Sequence, residues 1–187
     1  MVIPPVFKDT SLKGVWTQLP INNMDERGYT RELFNVTHLP PGFSGSSVNQ
    51  ILEATSSRGV IRGIHYASTS NTQSKIVRCL EGEIRDIVID LRMDSPTFGD
   101  HEVFELNSID VSSIFISHGF GHAYQVLSKS ATVLYALQTN FNFSEEFSIN
   151  PLDPDLALPW QDIPAILSPR DANAPGFRVA IGNRKLD

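Results

Sequence analysis

Four side chains with acid–base chemistry occur in the β-rich middle of the chain: His65, Lys75, His122 and Tyr135. A histidine can accept a proton near neutral pH, a lysine ammonium can stabilise a developing negative charge, and a tyrosine hydroxyl can supply a proton. As a set they offer a base, a cation and an acid, and they predict proton-transfer chemistry. Taken singly, each has a structural explanation: a core histidine or tyrosine with its polar atom hydrogen-bonded, or a solvated lysine.

The run from residue 60 to residue 66, which carries His65, is β-branched and apolar and is predicted to be a strand. Side chains alternate faces along an unbroken strand, so Arg62 and His65, three positions apart, would point opposite ways. Gly63 lies between them and could accommodate a bulge that returns both side chains to one face. We therefore expect a bulge or a strand end at Gly63. The alternative is a regular strand with Arg62 on the surface and His65 hydrogen-bonded in the core.

Short β-rich runs separated by turn residues follow one another along most of the chain, after an initial short strand over residues 14–19. We predict eight further strands, at residues 48–52, 60–66, 74–80, 84–91, 101–106, 113–116, 121–127 and 132–138. Many short strands at this spacing favour an all-β fold, an antiparallel barrel or jelly roll. No long stretch has a helical period, so helix is expected only in short pieces after Asn150, such as residues 154–158.

Alternation along the predicted central strands places several polar side chains on the interior face of the barrel. Lys75, His122 and Tyr135 each share a face with apolar neighbours two positions away. Asp86, if it faces the interior, needs a cationic or hydrogen-bonding partner because an isolated buried charge is costly, and Lys75 is a candidate. We therefore predict one pocket that collects His65, Lys75, His122 and Tyr135.

The composition is that of an ordinary globular domain. With 187 residues, of which 41% are hydrophobic and 19% charged, the chain can bury one substantial core. We expect residues 1–187 to form one domain, with N-terminal strands in 1–47, the barrel core in 48–142, and C-terminal helices and a tail in 143–187. The net charge of -6 argues against a duplex nucleic-acid partner, yet local arginines could still hold a small anionic ligand.

Cysteine content and the absence of targeting patterns indicate the compartment. Cys79 is the only cysteine, so no intramolecular disulfide can form and a reducing, cytoplasmic setting is expected. The N-terminal residues Met-Val-Ile-Pro-Pro lack the pattern of a secretory signal, and no run approaches the roughly 20 apolar residues of a membrane span. We expect an unexported protein without membrane contact.

Other catalytic chemistries lack their usual sequence signals. Metal sites of small β-barrels typically use two histidines two residues apart, but Ala67 follows His65 at that spacing and no His-x-His occurs. We therefore predict no metal. No Gly-x-Ser-x-Gly elbow, dinucleotide-binding glycine pattern or P-loop is present, and Cys79 lies within a predicted strand with no histidine near it in sequence.

Five motifs, taken in order between about residues 25 and 171, resemble the dTDP-4-dehydrorhamnose 3,5-epimerase family. They are Arg62-Gly63-Ile64-His65-Tyr66, Gln73-Ser74-Lys75-Ile76-Val77-Arg78, Asp90-Leu91-Arg92 with Ser95-Pro96-Thr97-Phe98-Gly99, Gly119-Phe120-Gly121-His122 and Asp153-Pro154-Asp155-Leu156. The resemblance implies a cupin-like jelly roll without metal or other cofactor, usually a homodimer. It also implies that the substrate is a nucleotide-diphosphate sugar, a 4-keto-6-deoxyhexose.

The resemblance also implies roles for individual residues. His65 matches the family's catalytic base, Asp171 the carboxylate that orients this base, Tyr135 the opposing acid, and Lys75 the cation near the substrate carbonyl oxygen. The matched substrate-binding positions are Arg27 and Glu32 for the nucleotide portion, Arg62 for the diphosphate, Gln50 as a polar ligand, His122 as a second pocket histidine, and Phe141 as a stacking aromatic.

Three positions depart from the family pattern and bear on the substrate. Leu52 stands where many members carry Asn, Phe141 replaces a more usual Tyr, and Asn23 replaces a common Phe. Each change alters a binding position, whereas the matched catalytic set is intact. Three functions therefore remain open: a 3,5-epimerase, an epimerase restricted to one carbon, and a sugar-nucleotide binding protein without turnover.

Overall fold

The computed structural model describes residues 6–19, 21–40, 48–67, 73–110 and 112–182. The described strands are β1 (Val6–Asp9), β2 (Val15–Leu19), β3 (Asn23–Asp25), β4 (Gly28–Thr30), β5 (Gln50–Ser57), β6 (Ile61–Ala67), β7 (Lys75–Glu81), β8 (Glu83–Asp90), β9 (His101–Asn107), β10 (Ser113–Ile116), β11 (Phe120–Val126), β12 (Ser130–Leu137) and β13 (Glu146–Ser148). Two short helices follow, α1 (Pro169–Ala172) and α2 (Phe177–Gly182).

Two antiparallel sheets form the body of the protein, as the predicted all-β jelly roll requires. One sheet has the strand order β1-β2-β10-β7-β12-β5 and the other β13-β6-β11-β8-β9, while β3 and β4 form a separate hairpin. The two inner faces share one hydrophobic cluster, to which Val77, Ile114 and Val133 contribute from the first sheet and Val88 and Val126 from the second. The fold prediction is confirmed.

The eight strands predicted after residue 48 correspond to β5–β12, with ends that differ by a few residues. The largest difference is β5, which continues to Ser57 because it pairs with β12 along its whole length. Its second half, Glu53 to Ser57, is polar and so carries little hydrophobic signal. Strands β1, β3, β4 and β13 were not individually predicted. Strands β1 and β2, from the N-terminal segment, complete the six-stranded sheet.

The predicted helix at residues 154–158 is wrong, because these residues form turns. The Asp153 carboxylate accepts hydrogen bonds from the backbone N–H groups of Asp155 (2.7 Å) and Phe177 (2.6 Å), and these bonds hold the segment in a turn. Helix begins later instead, at Pro169, where Ser168 caps the first turn of α1. Neither helix in the described part of the chain is long and apolar enough to cross a membrane.

The outer face of the five-stranded sheet is covered by the C-terminal part of the chain. Ile64, Ile87 and Ala123 from the sheet pack in one buried cluster with Leu156 and Ile181. This packing anchors the segment that carries α1 beside strand β6. It therefore brings residues that follow position 168 next to His65.

Candidate active site

A β-bulge in β6 places Arg62 and His65 on the same face, as predicted from Gly63. His122 of β11 pairs with His65 and Tyr124 pairs with Arg62, so two residues of β6 oppose the single residue Ala123. Gly63 adopts a φ of +117°, and a Cβ at this position would lie 2.5 Å from the backbone oxygen of His122. Only glycine fits this close approach, which explains why a glycine stands between the two predicted site residues.

A cavity of about 320 Å³ opens between the two sheets at this bulge. Six of the residues predicted from the sequence line it, namely Arg62, His65, Lys75, His122, Tyr135 and Phe141. They come from four different strands of the two sheets and from one loop, so the cavity exists only in the folded jelly roll. The predicted common pocket of His65, Lys75, His122 and Tyr135 is confirmed.

His65 is held from behind by Asp171, which lies in α1 rather than in either sheet. His65 Nε2 is 2.8 Å from Asp171 Oδ1, and the carboxylate is almost fully buried. Burial alone would raise the pKa of Asp171, but the hydrogen bond and charge of His65, the Ser168 hydroxyl and the Gly63 N–H together lower it. An ionised Asp171 that accepts the Nε2 proton leaves Nδ1 of His65 as the nitrogen able to take up a proton.

His122 forms a second histidine–carboxylate pair at the base of the cavity. Its Nε2 lies 2.7 Å from Asp86 Oδ2, and both side chains are buried. Asp86 was predicted to need a partner, with Lys75 as a candidate. In the structure its partner is His122 instead. Strand alternation placed all three residues on one interior face, but it could not say which neighbour would be in contact.

Lys75 is buried in the cavity wall and its ammonium forms no ion pair with any residue that the structure describes. Burial lowers the pKa of Lys75, while the charges of Glu146 and Asp86 act against this and raise it. A buried ammonium without a paired anion is suited to stabilise a negatively charged oxygen of a ligand.

Tyr135 lies beside His122, with the two rings edge to face and their centroids 6.0 Å apart. Burial raises the pKa of Tyr135 well above its ordinary value of 10. The phenol therefore keeps its proton at neutral pH and can act as a proton donor. On the neighbouring edge strand its partner is Leu52, one of the positions that depart from the family pattern.

Of the predicted binding residues, Arg62, His122 and Phe141 line the cavity, Gln50 lies in β5 outside its lining, and the other two lie in the N-terminal segment. Arg62 donates from Nε to Ser56 Oγ at 2.9 Å, and Gln50 Oε1 accepts from the backbone N–H of Phe141 at 2.6 Å. Arg27, on the β3–β4 hairpin, is exposed and contacts Asp25. Glu32 lies further along this segment and contacts Asn35 and His38. Neither Arg27 nor Glu32 lines the cavity of its own chain, and their roles stay predictions.

Three charged residues of the cavity, Glu53, Glu146 and Arg170, were not predicted as site residues from the sequence. Arg170 donates from Nη2 to the backbone oxygen of Glu146 at 2.8 Å and from Nη1 to its carboxylate at 3.1 Å. Glu146 belongs to β13, a three-residue strand too short for a periodic signal. The one available clue for Arg170 was its position directly before Asp171.

A paired histidine, a tyrosine of raised pKa and a lysine without an ion-pair partner among the described residues thus share one cavity of a cupin-like fold, an arrangement typical of an epimerase. The sequence matches the family described as dTDP-4-dehydrorhamnose 3,5-epimerase over residues 9–178. The chain belongs to this family of carbohydrate epimerases.

Individual relatives cover nearly the whole chain. The dTDP-4-dehydro-6-deoxyglucose 3-epimerase of Streptomyces bikiniensis is 37% identical over 172 residues, 91% of this chain and 88% of that protein. The dTDP-4-dehydrorhamnose 3,5-epimerase of Mycolicibacterium smegmatis is 35% identical over 176 residues, covering 92% and 86%. Similar proteins thus include a 3-epimerase and a 3,5-epimerase.

Similar solved structures also include both kinds of epimerase. The dTDP-6-deoxy-D-glucose-3,5-epimerase of Legionella pneumophila, in complex with dTDP-4-keto-L-rhamnose, has a TM-score of 0.88 at 32% identity and covers 97% of this chain and 95% of its own. A 3'-monoepimerase from Streptomyces bikiniensis, in complex with dTDP-quinovose, has a TM-score of 0.85 at 36% identity and covers 95% and 89%.

Proposed function

We propose that this chain is a cofactor-independent epimerase that inverts C3, C5 or both in a nucleotide-linked 4-keto-6-deoxyhexose. The observation that carries the proposal is that His65, which is hydrogen-bonded to Asp171, lines one cavity together with Lys75 and Tyr135. The relatives named for dTDP-linked sugars favour dTDP as the nucleotide.

The chemistry follows from what each group can do. A proton on a carbon next to a ketone can be removed only if the enolate that forms is stabilised, and Lys75 places a positive charge for its oxygen. His65 takes the proton through Nδ1, and Asp171 stabilises the imidazolium that results. Tyr135 then gives its proton to the opposite face of the same carbon, so the carbon is inverted.

The remaining cavity residues would bind the nucleotide diphosphate. The Arg62 guanidinium can bind phosphate oxygens in pairs, and the half-exposed ring of Phe141 offers a stacking surface for the base. The homodimer that the family resemblance implies is part of this proposal. In it, Arg27 and Glu32, which lie outside their own cavity, serve the nucleotide portion in the partner subunit.

Subunit complementation would test this use of Arg27. A mixture of the Arg27→Ala and His65→Ala variants, each inactive or weak alone, should recover activity after dissociation and reassembly. One of the two sites in a mixed dimer then has both His65 and Arg27 intact. The absence of recovery in dimers shown to be mixed would contradict the sharing of residues between subunits.

Epimerisation at a single carbon is a second candidate function, and one observation beside the proposed acid Tyr135 favours it. Leu52 pairs with Tyr135 and lines the cavity, so the wall beside the proton donor is apolar where many members carry Asn. Incubation of the protein with dTDP-linked 4-keto-6-deoxyglucose in heavy water, followed by NMR of the ring protons, separates the candidates. Deuterium at C3 and C5 indicates the 3,5-epimerase and deuterium at one carbon the restricted enzyme. Binding without any deuterium uptake would overturn the proposed activity.

A further inference from the structure

A second tyrosine, Tyr124, lies behind the proposed acid and has no part in the reaction described so far. It belongs to β11, is completely buried, and its ring centroid is 6.5 Å from that of Tyr135. Its hydroxyl is also buried and forms no hydrogen bond of ordinary geometry within the described part of the chain. A buried hydroxyl without a partner lowers stability, so a role in another state of the site would explain its presence.

The surroundings of the two tyrosines make the Tyr124 hydroxyl the more acidic of the pair, because the pKa of Tyr124 is raised less than that of Tyr135. Burial raises the pKa of Tyr124, but contact with the Ser56 hydroxyl, the charge of Arg62 and contact with Tyr135 act against this and lower it. For Tyr135, burial raises the pKa, and the proximity of Tyr124 raises it further. The more acidic phenol is the better donor and the more basic oxygen the better acceptor. Tyr124 is therefore the hydrogen-bond donor and an ionised Tyr135 the acceptor in this pair.

We propose that Tyr124 is a positioning residue for the acid, whose hydroxyl donates a hydrogen bond to the Tyr135 oxygen once Tyr135 has given its proton to the substrate carbon. This inference rests on the proposed epimerase function. In that step the O–H bond of Tyr135 breaks and a C–H bond forms with the electron pair of the enolate. The negative charge moves to the Tyr135 oxygen, and Tyr124 keeps its own proton. After product release, Tyr135 takes a proton back from water.

The Tyr124→Phe variant tests this role because it removes one hydroxyl and keeps the buried ring. In heavy water, deuterium can enter on the His65 face of the substrate without inversion, and this exchange needs only His65 and Lys75. Inversion also needs Tyr135 to ionise. We expect exchange within roughly twofold of the unaltered protein, but a ratio of inversion to exchange that is at least roughly tenfold lower, as for loss of a hydrogen bond to a charged group. The KM should stay the same while kcat for inversion falls.

The matched control is Tyr66→Phe, which removes a hydroxyl from a buried tyrosine in the cluster on the outer side of the same sheet. It should leave the inversion-to-exchange ratio unchanged. A folded Tyr124→Phe protein with the ratio of the unaltered protein would overturn the inference. If this variant does not fold, fluorotyrosine at position 124, a stronger donor, should raise the ratio, and an unchanged ratio would equally overturn it. Absence of exchange in the unaltered protein would instead remove the proposed function itself, and the inference with it.

Discussion

Nε2 of His65 lies 2.8 Å from Oδ1 of Asp171, a residue 106 positions later in the chain. In the proposed reaction His65 removes the substrate proton, and the pairing with Asp171 supports this role. His65→Ala should therefore abolish both deuterium exchange and epimerisation, since no other side chain of the proposed set is placed to act as the base. Asp171→Asn should keep the ring in place but weaken the base, with a loss of roughly 10²-fold in kcat. NMR in heavy water measures both quantities.

The Tyr135→Phe variant is the contrasting control for the base. It should still exchange deuterium on the His65 face, because enolate formation needs only the base and the ammonium, but it should not invert the carbon. If His65→Ala kept exchange while Tyr135→Phe lost it, the roles of the two residues would have to be reversed.

The activity should fall on the alkaline side as the Lys75 ammonium loses its proton. Burial lowers the pKa of this lysine, and the charges of Glu146 and Asp86 raise it, so the decline begins below the ordinary lysine value of 10.5. Glu146→Gln removes the charge with the larger effect of the two and lowers the pKa of Lys75 further. The alkaline decline of kcat should thus move to lower pH. Tyr135 does not contribute to this decline, because its pKa lies well above 10.

The control for this shift is Glu105→Gln. Glu105 pairs with Arg85 through an exposed contact and is not among the residues that line the cavity. Its removal should leave the pH profile unchanged. An identical alkaline decline in the Glu146→Gln variant and the unaltered protein would show that Lys75 is not the group that titrates.

Arg62 should contribute to substrate binding rather than to the chemical step. Its guanidinium lines the cavity and is fixed by the bond from Nε to Ser56 Oγ at 2.9 Å, which leaves other N–H groups for phosphate oxygens. Arg62→Ala should raise KM by roughly 10- to 100-fold with a smaller change in kcat, since hydrogen bonds to charged groups contribute about 1.5–3 kcal/mol. Arg62→Lys should recover little of the loss, because an ammonium cannot bind two phosphate oxygens in the same paired geometry. An unchanged KM in either variant would argue against the diphosphate role.

Gly63→Ala should disrupt the bulge that brings Arg62 and His65 together. The added Cβ would lie 2.5 Å from the His122 oxygen and 2.6 Å from Ala123 Cβ, at a φ of +117°. We expect a loss of about 3 kcal/mol or more in the free energy of unfolding, measured by urea denaturation, together with loss of activity. Gly182→Ala is the control, since an added Cβ there meets no atom within 4 Å, and it should change stability little.

Stability should fall in acid as Asp90 is protonated. The Asp90 carboxylate accepts from Arg92 Nη2 at 2.6 Å, Ser95 Oγ at 2.6 Å and Thr97 Oγ1 at 2.7 Å. Burial opposes ionisation, but these bonds lower the pKa to about 2. The folded state thus binds the proton more weakly than the unfolded state. Ionised Asp90 therefore contributes about 2 kcal/mol to the free energy of unfolding. This contribution is complete above about pH 5 and is lost as the pH falls toward about 2.

The Asp90→Asn variant shows whether this carboxylate is responsible. The difference in unfolding free energy between the variant and the unaltered protein should shrink by about 2 kcal/mol between about pH 5 and pH 2. A difference independent of pH would mean that Asp90 titrates normally in the folded protein.

The sequence predicted those parts of the site that depend on local alternation along strands. Lys75, His122 and Tyr135 each lie within a strand of clear period, so their shared interior face could be read directly. The bulge at Gly63 could also be predicted locally, since a glycine separates two predicted site residues whose spacing would put them on opposite faces of a regular strand.

The parts that sequence could not predict depend on contacts between distant or irregular segments. The partner of Asp86 was one of several residues on the same face, and only the packing of β8 against β11 selects His122. Glu146 and Arg170 come from segments without hydrophobic periodicity. They meet through a hydrogen bond from α1 to β13. The turn at residues 154–158 was mistaken for helix. Hydrogen bonds to the Asp153 carboxylate hold the turn, and one of them comes from the backbone of Phe177, which is too distant in sequence for a local pattern to reveal it.

Helix α1 is only four residues long, yet Arg170 lines the cavity and Asp171 reaches the cavity residue His65. Asp171 contacts His65 and Arg170 contacts Glu146, whereas the sheets are held by long ladders and a shared core. Segments with few buried contacts open more readily than sheet cores. Heating should therefore abolish activity by detaching α1 at temperatures where both sheets are still intact. Cooling should restore activity without refolding of the whole chain.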